Sequence, residues 1–134
     1  MIFVDSSVWI DYFNEHDTPS ARLLDQLLDE GERTLVIGDL VLMEVLQGFR
    51  LDKDFAAARR LLMLLEIYVL DGEQLVVRAA ENYRLLRKKG VTIVSSIDVL
   101  IATCCMAQDF ELLHNDGDFE RIGQHLPLKI VQST

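Results

Sequence analysis

Three carboxylates stand inside apolar stretches of this chain. Asp5 interrupts the run from Met1 to Ile10, Glu44 the run from Leu40 to Leu46, and Asp98 the run from Ile93 to Ala102. An ionised carboxylate shut away from water is strongly destabilising unless it is paired or bound to a metal. No Lys or Arg lies near any of the three in sequence, so no local ion pair is on offer. A fourth acid, Asp116, follows the apolar Leu112-Leu113 pair in a loop containing Gly117. Four acids converging from separate segments suit a divalent cation better than they suit stability.

The elements that would have to bring them together can be read from the pattern. Ile2-Phe3-Val4 reads as a short buried strand, with Ser6 and Ser7 able to cap a helix through Phe13. Thr18-Pro19 opens a helix that Gly31 ends, and Thr34 to Ile37 is a second strand. Asp39 is placed to cap a helix from Leu40 to about Phe49, followed by another from Leu51 to Leu65. Ile67 to Leu70 reads as a third strand. Asp71 and Gln74 form a capping box for a helix running to Lys89, with Gly90 as its stop. Ser95 or Ser96 caps a helix through Met106. Glu111 to His114 is a fourth strand, Asp118 to Gly123 a helical turn, and Leu128 to Val131 a fifth strand.

Short apolar strands alternating with helices imply an α/β fold with a mainly parallel sheet of about five strands, covered by helices on both faces. In such sheets ligands bind beyond the carboxyl ends of the strands. Asp5 stands at the end of the first strand and Asp116 just past the fourth. Glu44 and Asp98 are expected in the first turns of helices entering from that same edge.

At 134 residues the chain reads as one domain spanning 1–134, with 50% apolar and 26% charged residues, an ordinary globular composition. No apolar run approaches the roughly 20 residues that span a bilayer. There is no basic n-region, and Asp5 falls in the first apolar stretch, so the expectation is a cytoplasmic protein without a membrane segment. Cys104 and Cys105 are adjacent, and neighbours on a helix do not face each other, so they read as small buried hydrophobes rather than a disulfide. A net charge of -9 argues against a protein that coats nucleic acid. Metal bound by the acids would offset that balance where a phosphate docks.

Each residue also has a plainer explanation. Asp5 alone could cap the helix that follows it. Asp98 lies in a first turn, where the helix dipole favours an acid, and Asp116 sits among turn-forming residues. Glu44 has Gln47 as its only nearby polar company, which leaves it the least explained. The set of four carries the reading. Ser6 beside Asp5 could hydrogen-bond a phosphate. Trp9 reads as a core anchor, and His16, His114 and His125 show no metal-ligand spacing.

The quoted stretches resemble a known family. Ile2-Phe-Val-Asp5-Ser6-Ser-Val-Trp-Ile10 is similar to the opening of PIN-domain nucleases, specifically the VapC-type toxins of bacterial toxin–antitoxin modules. The likeness continues through Leu40-Val-Leu-Met-Glu44-Val-Leu-Gln-Gly48, Ser96-Ile-Asp98-Val-Leu-Ile-Ala-Thr103 and Leu112-Leu-His-Asn-Asp116-Gly-Asp118-Phe-Glu-Arg-Ile122. The blocks occur in the family's order and together span the chain. The resemblance implies a metal-dependent endoribonuclease in which Asp5, Glu44, Asp98 and Asp116 hold one or two Mg²⁺ or Mn²⁺ ions. Hard oxygen ligands favour these ions over zinc. Two ions about 4 Å apart would activate a water and hold the leaving oxygen of an RNA phosphodiester. The resemblance further implies a cognate antitoxin that blocks the site, and a homodimer. Members often carry Thr or Ser where His114 or Asn115 stands, to orient the last acid, so which of the two does so here is open. Asp118 ranks as a fifth acid below the other four.

Two rivals stand beside this reading. A receiver-type or other phosphoryl-transfer domain also gathers acids around Mg²⁺, but Asp5 has no acidic neighbour and no late strand ends in Lys. A binding module with a relict acid cluster is the other. The basic group Arg84, Arg87, Lys88 and Lys89 fits either the helix dipole or an RNA backbone.

Overall fold

Ile2, Phe3 and Val4 are all buried, although successive strand residues point to opposite faces of a sheet. Both faces of the sheet are therefore covered, which is the environment of a parallel sheet between helices. The computed structural model describes residues 1–133. Its strands are β1 (Ile2–Val4), β2 (Leu35–Gly38), β3 (Glu66–Tyr68) and β4 (Glu111–Leu113). The helices are α1 (Ser6–Phe13), α2 (Pro19–Glu30), α3 (Asp39–Leu46), α4 (Asp52–Leu62), α5 (Glu73–Lys88), α6 (Ser96–Gln108) and α7 (Gly117–Gly123).

The sheet order is β3-β2-β1-β4, with every pairing parallel. The chain steps outward from β1 to β3, then crosses back through α5 and α6 to place β4 on the other side of β1. Right-handed crossovers in opposite directions put the helices of the two halves on opposite faces. The core runs through Phe3, Val36, Ile37, Leu112 and Leu113, with Trp9, Leu24, Leu62 and Leu86 packing on it from the helices.

The expected fifth strand is not a strand. Leu128 to Val131 makes a single parallel bridge, with the Leu112 amide donating to the Lys129 carbonyl at 2.8 Å and the Val131 amide to the Leu112 carbonyl at 2.9 Å. The reason lies in β4, which is three residues long. Along a strand, alternate residues direct their amide and carbonyl groups to opposite edges. The Glu111 amide and the Leu113 carbonyl are bonded towards β1, so only Leu112 faces outward.

Several helix starts also differ. Gly38, not Asp39, caps α3, and the Asp39 carboxylate reaches across to the Leu70 amide at 3.0 Å, tying the end of β3 to the start of α3. The chain enters α5 through Gly72 at φ 98°, a conformation that favours glycine, so Gly72 and not Asp71 stands at the cap and no side-chain capping bond forms. Ser95 stands at the cap of α6 without a side-chain bond. Helices α3 and α4 stop about a turn earlier than expected, and β3 starts one residue sooner and ends before Val69.

Gly38 joins β2 to α3 where space is tightest. A Cβ there would stand 2.7 Å from Leu70 Cδ1 and 2.9 Å from Phe3 Cζ, both side chains being buried. Gly38→Ala is expected to destabilise the fold by about 1–3 kcal/mol, as overpacking does. Denaturant unfolding of the two proteins measures it, and equal stability would show that Leu70 and Phe3 can give way.

Candidate active site

Strands β1 and β4 lie side by side, and the connections that leave them go to opposite faces. This reversal opens a crevice beyond their carboxyl ends, the place where open α/β sheets bind ligands. Asp5 is the residue that follows β1. Its amide donates to the Leu113 carbonyl at 3.0 Å, which ties it to the end of β4. Its side chain caps α1, with the Ser7 amide donating to Oδ2 at 3.1 Å and the Ser7 hydroxyl donating to the same oxygen at 2.6 Å. The plainer explanation of Asp5 as a cap is thus correct, and it leaves Oδ1 with no side-chain bond among the described residues. The Ser7 hydroxyl also accepts from the Asn115 amide at 3.0 Å, so one oxygen joins the first acid to the loop of the last. Asn115 itself turns its side chain away, donating to Asp11 Oδ2 at 2.8 Å.

That loop runs from β4 into α7 and carries two more acids. Asp116 caps α7, its Oδ1 accepting from the Asp118 amide at 3.0 Å. The Asp116 amide in turn donates to His114 Nδ1 at 3.1 Å. Asp98 comes in from the opposite side, in the first turn of α6. Asp98, Asp116 and Asp118 each bring a carboxylate oxygen within 4.8 Å of the other two. Glu44, on α3, lies outside this trio, and its Oε2 receives the Ser6 hydroxyl at a long 3.5 Å. It stands in the second turn of α3 rather than the first, as it would even in a helix starting at Leu40.

Like charges dominate the crevice. Burial, and after it the charges of Asp5, Asp116, Asp118 and Glu44, push the Asp98 carboxyl up to about 7. Burial also raises Asp5, against the Ser7 hydrogen bonds that lower it, and Asp116 adds to the rise. Glu44 is raised by burial and by the charge of Asp5. Among the described residues none of Asp5, Glu44, Asp98 and Asp116 has an ion-pair partner. Arg121 meets only Asp118, at 3.1 Å, and its guanidinium also donates to the Thr92 carbonyl at 3.3 Å. Carboxylate oxygens gathered with a single arginine on their outer member fit a hard divalent ion, which would replace proton and desolvation with coordination.

The structure thus gathers the four acids first singled out around one crevice, and it moves Asp118 from last rank into the tightest cluster. Ser7, not Ser6, is the hydroxyl that organises Asp5. Its position two residues after an acid is the spacing of a side chain that folds back on a turn, a signal that was available in the sequence. His114 was set aside for want of metal-ligand spacing, yet it contacts the acid loop through both ring nitrogens. Trp9 is wholly buried, stacked on Phe13 at 5.9 Å, and takes no part in the crevice. The basic group lies on the last half of α5 and its C-cap Lys89, with Arg87 over the Tyr83 ring and no ion pair on any of the four cations among the described residues.

A model of the PIN domain family matches residues 2–124. The chain belongs to the PIN-domain family, in its VapC branch. Ribonuclease VapC11 of Mycobacterium tuberculosis and VapC ribonuclease Mb1587 of Mycobacterium bovis are each 30% identical to this PIN domain over 124 residues, 92% of either chain. Its fold is that of VapBC2 from Rickettsia felis, solved bound to a DNA fragment from its promoter, with a TM-score of 0.75 at 24% identity over 98% of both chains. The DNA-bound VapBC of Salmonella typhimurium gives a TM-score of 0.78 at 18% identity over 99% of this chain and 98% of its own. VapC20 of M. tuberculosis, described as a sarcin-ricin loop cleaving toxin, gives 0.68 at 22% identity over 92% and 95%. No helix of this PIN domain among the described residues is long and apolar enough to cross a membrane.

Asp98 makes the crevice legible in stability. Its carboxyl titrates at about 7 in the fold and at 3.8 as an ordinary aspartate, so the folded chain holds a proton that the unfolded chain releases. Its contribution is fully present below about pH 4 and is lost as pH rises through about 7. Unfolding free energy in EDTA should therefore fall across that window, and Asp98→Asn should flatten the fall. An identical pH slope in the variant would remove Asp98 as its source.

Proposed function

We propose that this chain is an endoribonuclease that requires Mg²⁺ or Mn²⁺, one or two ions, and serves as the toxin of a toxin–antitoxin pair. The observation that carries the reading is the gathering of Asp98, Asp116 and Asp118, with carboxylate oxygens within 4.8 Å of one another, beside Asp5 and Glu44 and with only Arg121, on Asp118, as an ion-pair partner among the described residues. Such an arrangement is unfavourable to the fold and has no structural use, which is the mark of a functional site. The names and identities of the VapC ribonucleases support RNA as the substrate.

Asp5, Asp98, Asp116 and Glu44 would hold the cation, with Asp118 beside them. When bound, a divalent ion supplies Lewis-acid chemistry, neutralising phosphate oxygens and acidifying water. The remaining work belongs to the chain. Ser7 fixes the rotation of Asp5 through Oδ2 and leaves Oδ1 without a side-chain partner among the described residues. Glu44, outside the trio and raised by burial, is suited to accept a proton from the attacking water. The water oxygen bonds to phosphorus as the bond from phosphorus to the leaving ribose oxygen breaks; the water's other hydrogen stays with the product phosphate, the ribose oxygen takes a proton from solvent, and Glu44 returns its own to solvent. The unpaired cations Arg84, Arg87, Lys88 and Lys89 offer contacts to the RNA backbone outside the crevice.

The partners follow the same reading. The solved VapBC assemblies support a cognate antitoxin that covers the site. Exposed Val76 and Val94 line an apolar groove between α5 and the start of α6, with Ala79, Ala80 and Ile97, that a homodimer would cover. The cytoplasm is the compartment where RNA and such a partner meet.

The test is cleavage of a total-RNA pool by purified, antitoxin-free protein with Mg²⁺, Mn²⁺ or EDTA. Cleavage should appear with either ion, vanish in EDTA, and be abolished by Asp5→Asn and by Asp98→Asn while both variants keep the wild-type circular dichroism. Folded protein that cleaves no RNA with either ion would leave a non-catalytic binding module instead.

A further inference from the structure

The first residue after β4 is a buried histidine whose two ring nitrogens are both committed. The side chain of His114 is 5% exposed and tilts against Phe119, with ring centroids 5.3 Å apart. Packing alone would account for an aromatic ring there, but not for where the nitrogens point. Nδ1 accepts from the Asp116 amide at 3.1 Å. An amide can only donate, so this nitrogen carries no proton. The proton sits on Nε2, which donates to Glu120 Oε1 at 3.1 Å on α7. Glu120 thereby fixes the tautomer that serves Asp116, in the way outer carboxylates fix the histidines of metal sites.

The turn needs such a strap. Its acids repel one another, and a loop free to yield would swing them out into water. The amides along it are instead pinned one after another: Asn115 to the Ser7 hydroxyl, Asp116 to His114, Asp118 to Asp116 Oδ1 and Phe119 to the Asp116 carbonyl at 3.1 Å. Of these, the His114 bond fixes the peptide plane of Asp116 itself, upstream of the carboxylate that holds Asp118.

We infer that His114 is a positioning residue, which sets the Asp116 peptide through Nδ1 and so holds the carboxylates of Asp116 and Asp118 towards Asp98. The inference rests on the cation-dependent reading of that site given above. It differs from a role in packing in a way that can be measured. Asn carries its Oδ1 acceptor at the same branch point as Nδ1 but lacks the ring, whereas Phe keeps a ring of similar size and offers no acceptor.

Mn²⁺ titration calorimetry on the full chain, with thermal unfolding in EDTA, compares wild type, His114→Asn and His114→Phe. The Phe variant should bind Mn²⁺ roughly 10–100-fold more weakly, as losses of outer hydrogen bonds to metal ligands do, and the Asn variant should stay within a few-fold of wild type. The Asn variant should nonetheless be no more stable than the Phe variant, because it loses the packing on Phe119. Should Phe not be accommodated, His114→Ala shares the loss of the ring with Asn and takes its place in the comparison. Wild-type affinity in the Phe or Ala variant, or affinities that merely follow unfolding temperature, would overturn the role of His114 and leave the nuclease reading intact. A wild-type chain that binds no Mn²⁺ would overturn that reading itself, and this inference with it.

Discussion

The pairing of β1 with β4 is the interaction on which the rest of the molecule depends. It joins the first strand to the last and is sealed at the crevice by the Asp5 amide on the Leu113 carbonyl. Everything chemical is hung from that seam. Asp5 leaves it on one side and the His114–Asp118 turn on the other, and the Ser7 hydroxyl bridges the two. Helices α3 and α6 then bring Glu44 and Asp98 in from the flanks.

Stability and site pull against each other here. The core is apolar on both faces of the sheet, and β1, β2 and β4 are buried almost throughout, with β3 the more exposed edge. Against that, Asp5 is 3% exposed and still carries a carboxyl. Hydrogen bonds from Ser7 relieve part of the strain on Asp5, but nothing comparable acts on Asp98, which depends on a proton or a cation. The fold tolerates this because the unfavourable charges are confined to one edge, where water or an ion can reach them.

Much of this architecture was legible in the sequence, for identifiable reasons. Apolar runs too short to be helices and flanked by turn residues gave β1, β2, β3 and β4, and the alternation with helices gave the parallel sheet. Asp5, Glu44 and Asp98 stood out because charge in an apolar run demands an explanation. What stayed hidden depended on contacts between distant segments. The fifth strand failed because β4 has only one residue facing outward, a fact of pairing and not of composition. Asp39 looked like a cap but serves Leu70, and Asp71 looked like a cap where Gly72 makes the turn. Asp118 and His114 were underrated because their value lies in where the turn folds, which no spacing rule for histidine or aspartate conveys. The family resemblance named the acids and left the residue orienting the last of them open.

The seam between β1 and β4 has a consequence in time. Asp5 is synthesised well before Asp98, Asp116 and Asp118. No partial chain holds the assembled crevice, since β1 lacks its partner until Leu113 has been synthesised. Long-range parallel pairing of this kind closes late in folding. The crevice is therefore missing from the growing chain until β4 has been made, and it assembles in a single step, when that strand finds β1.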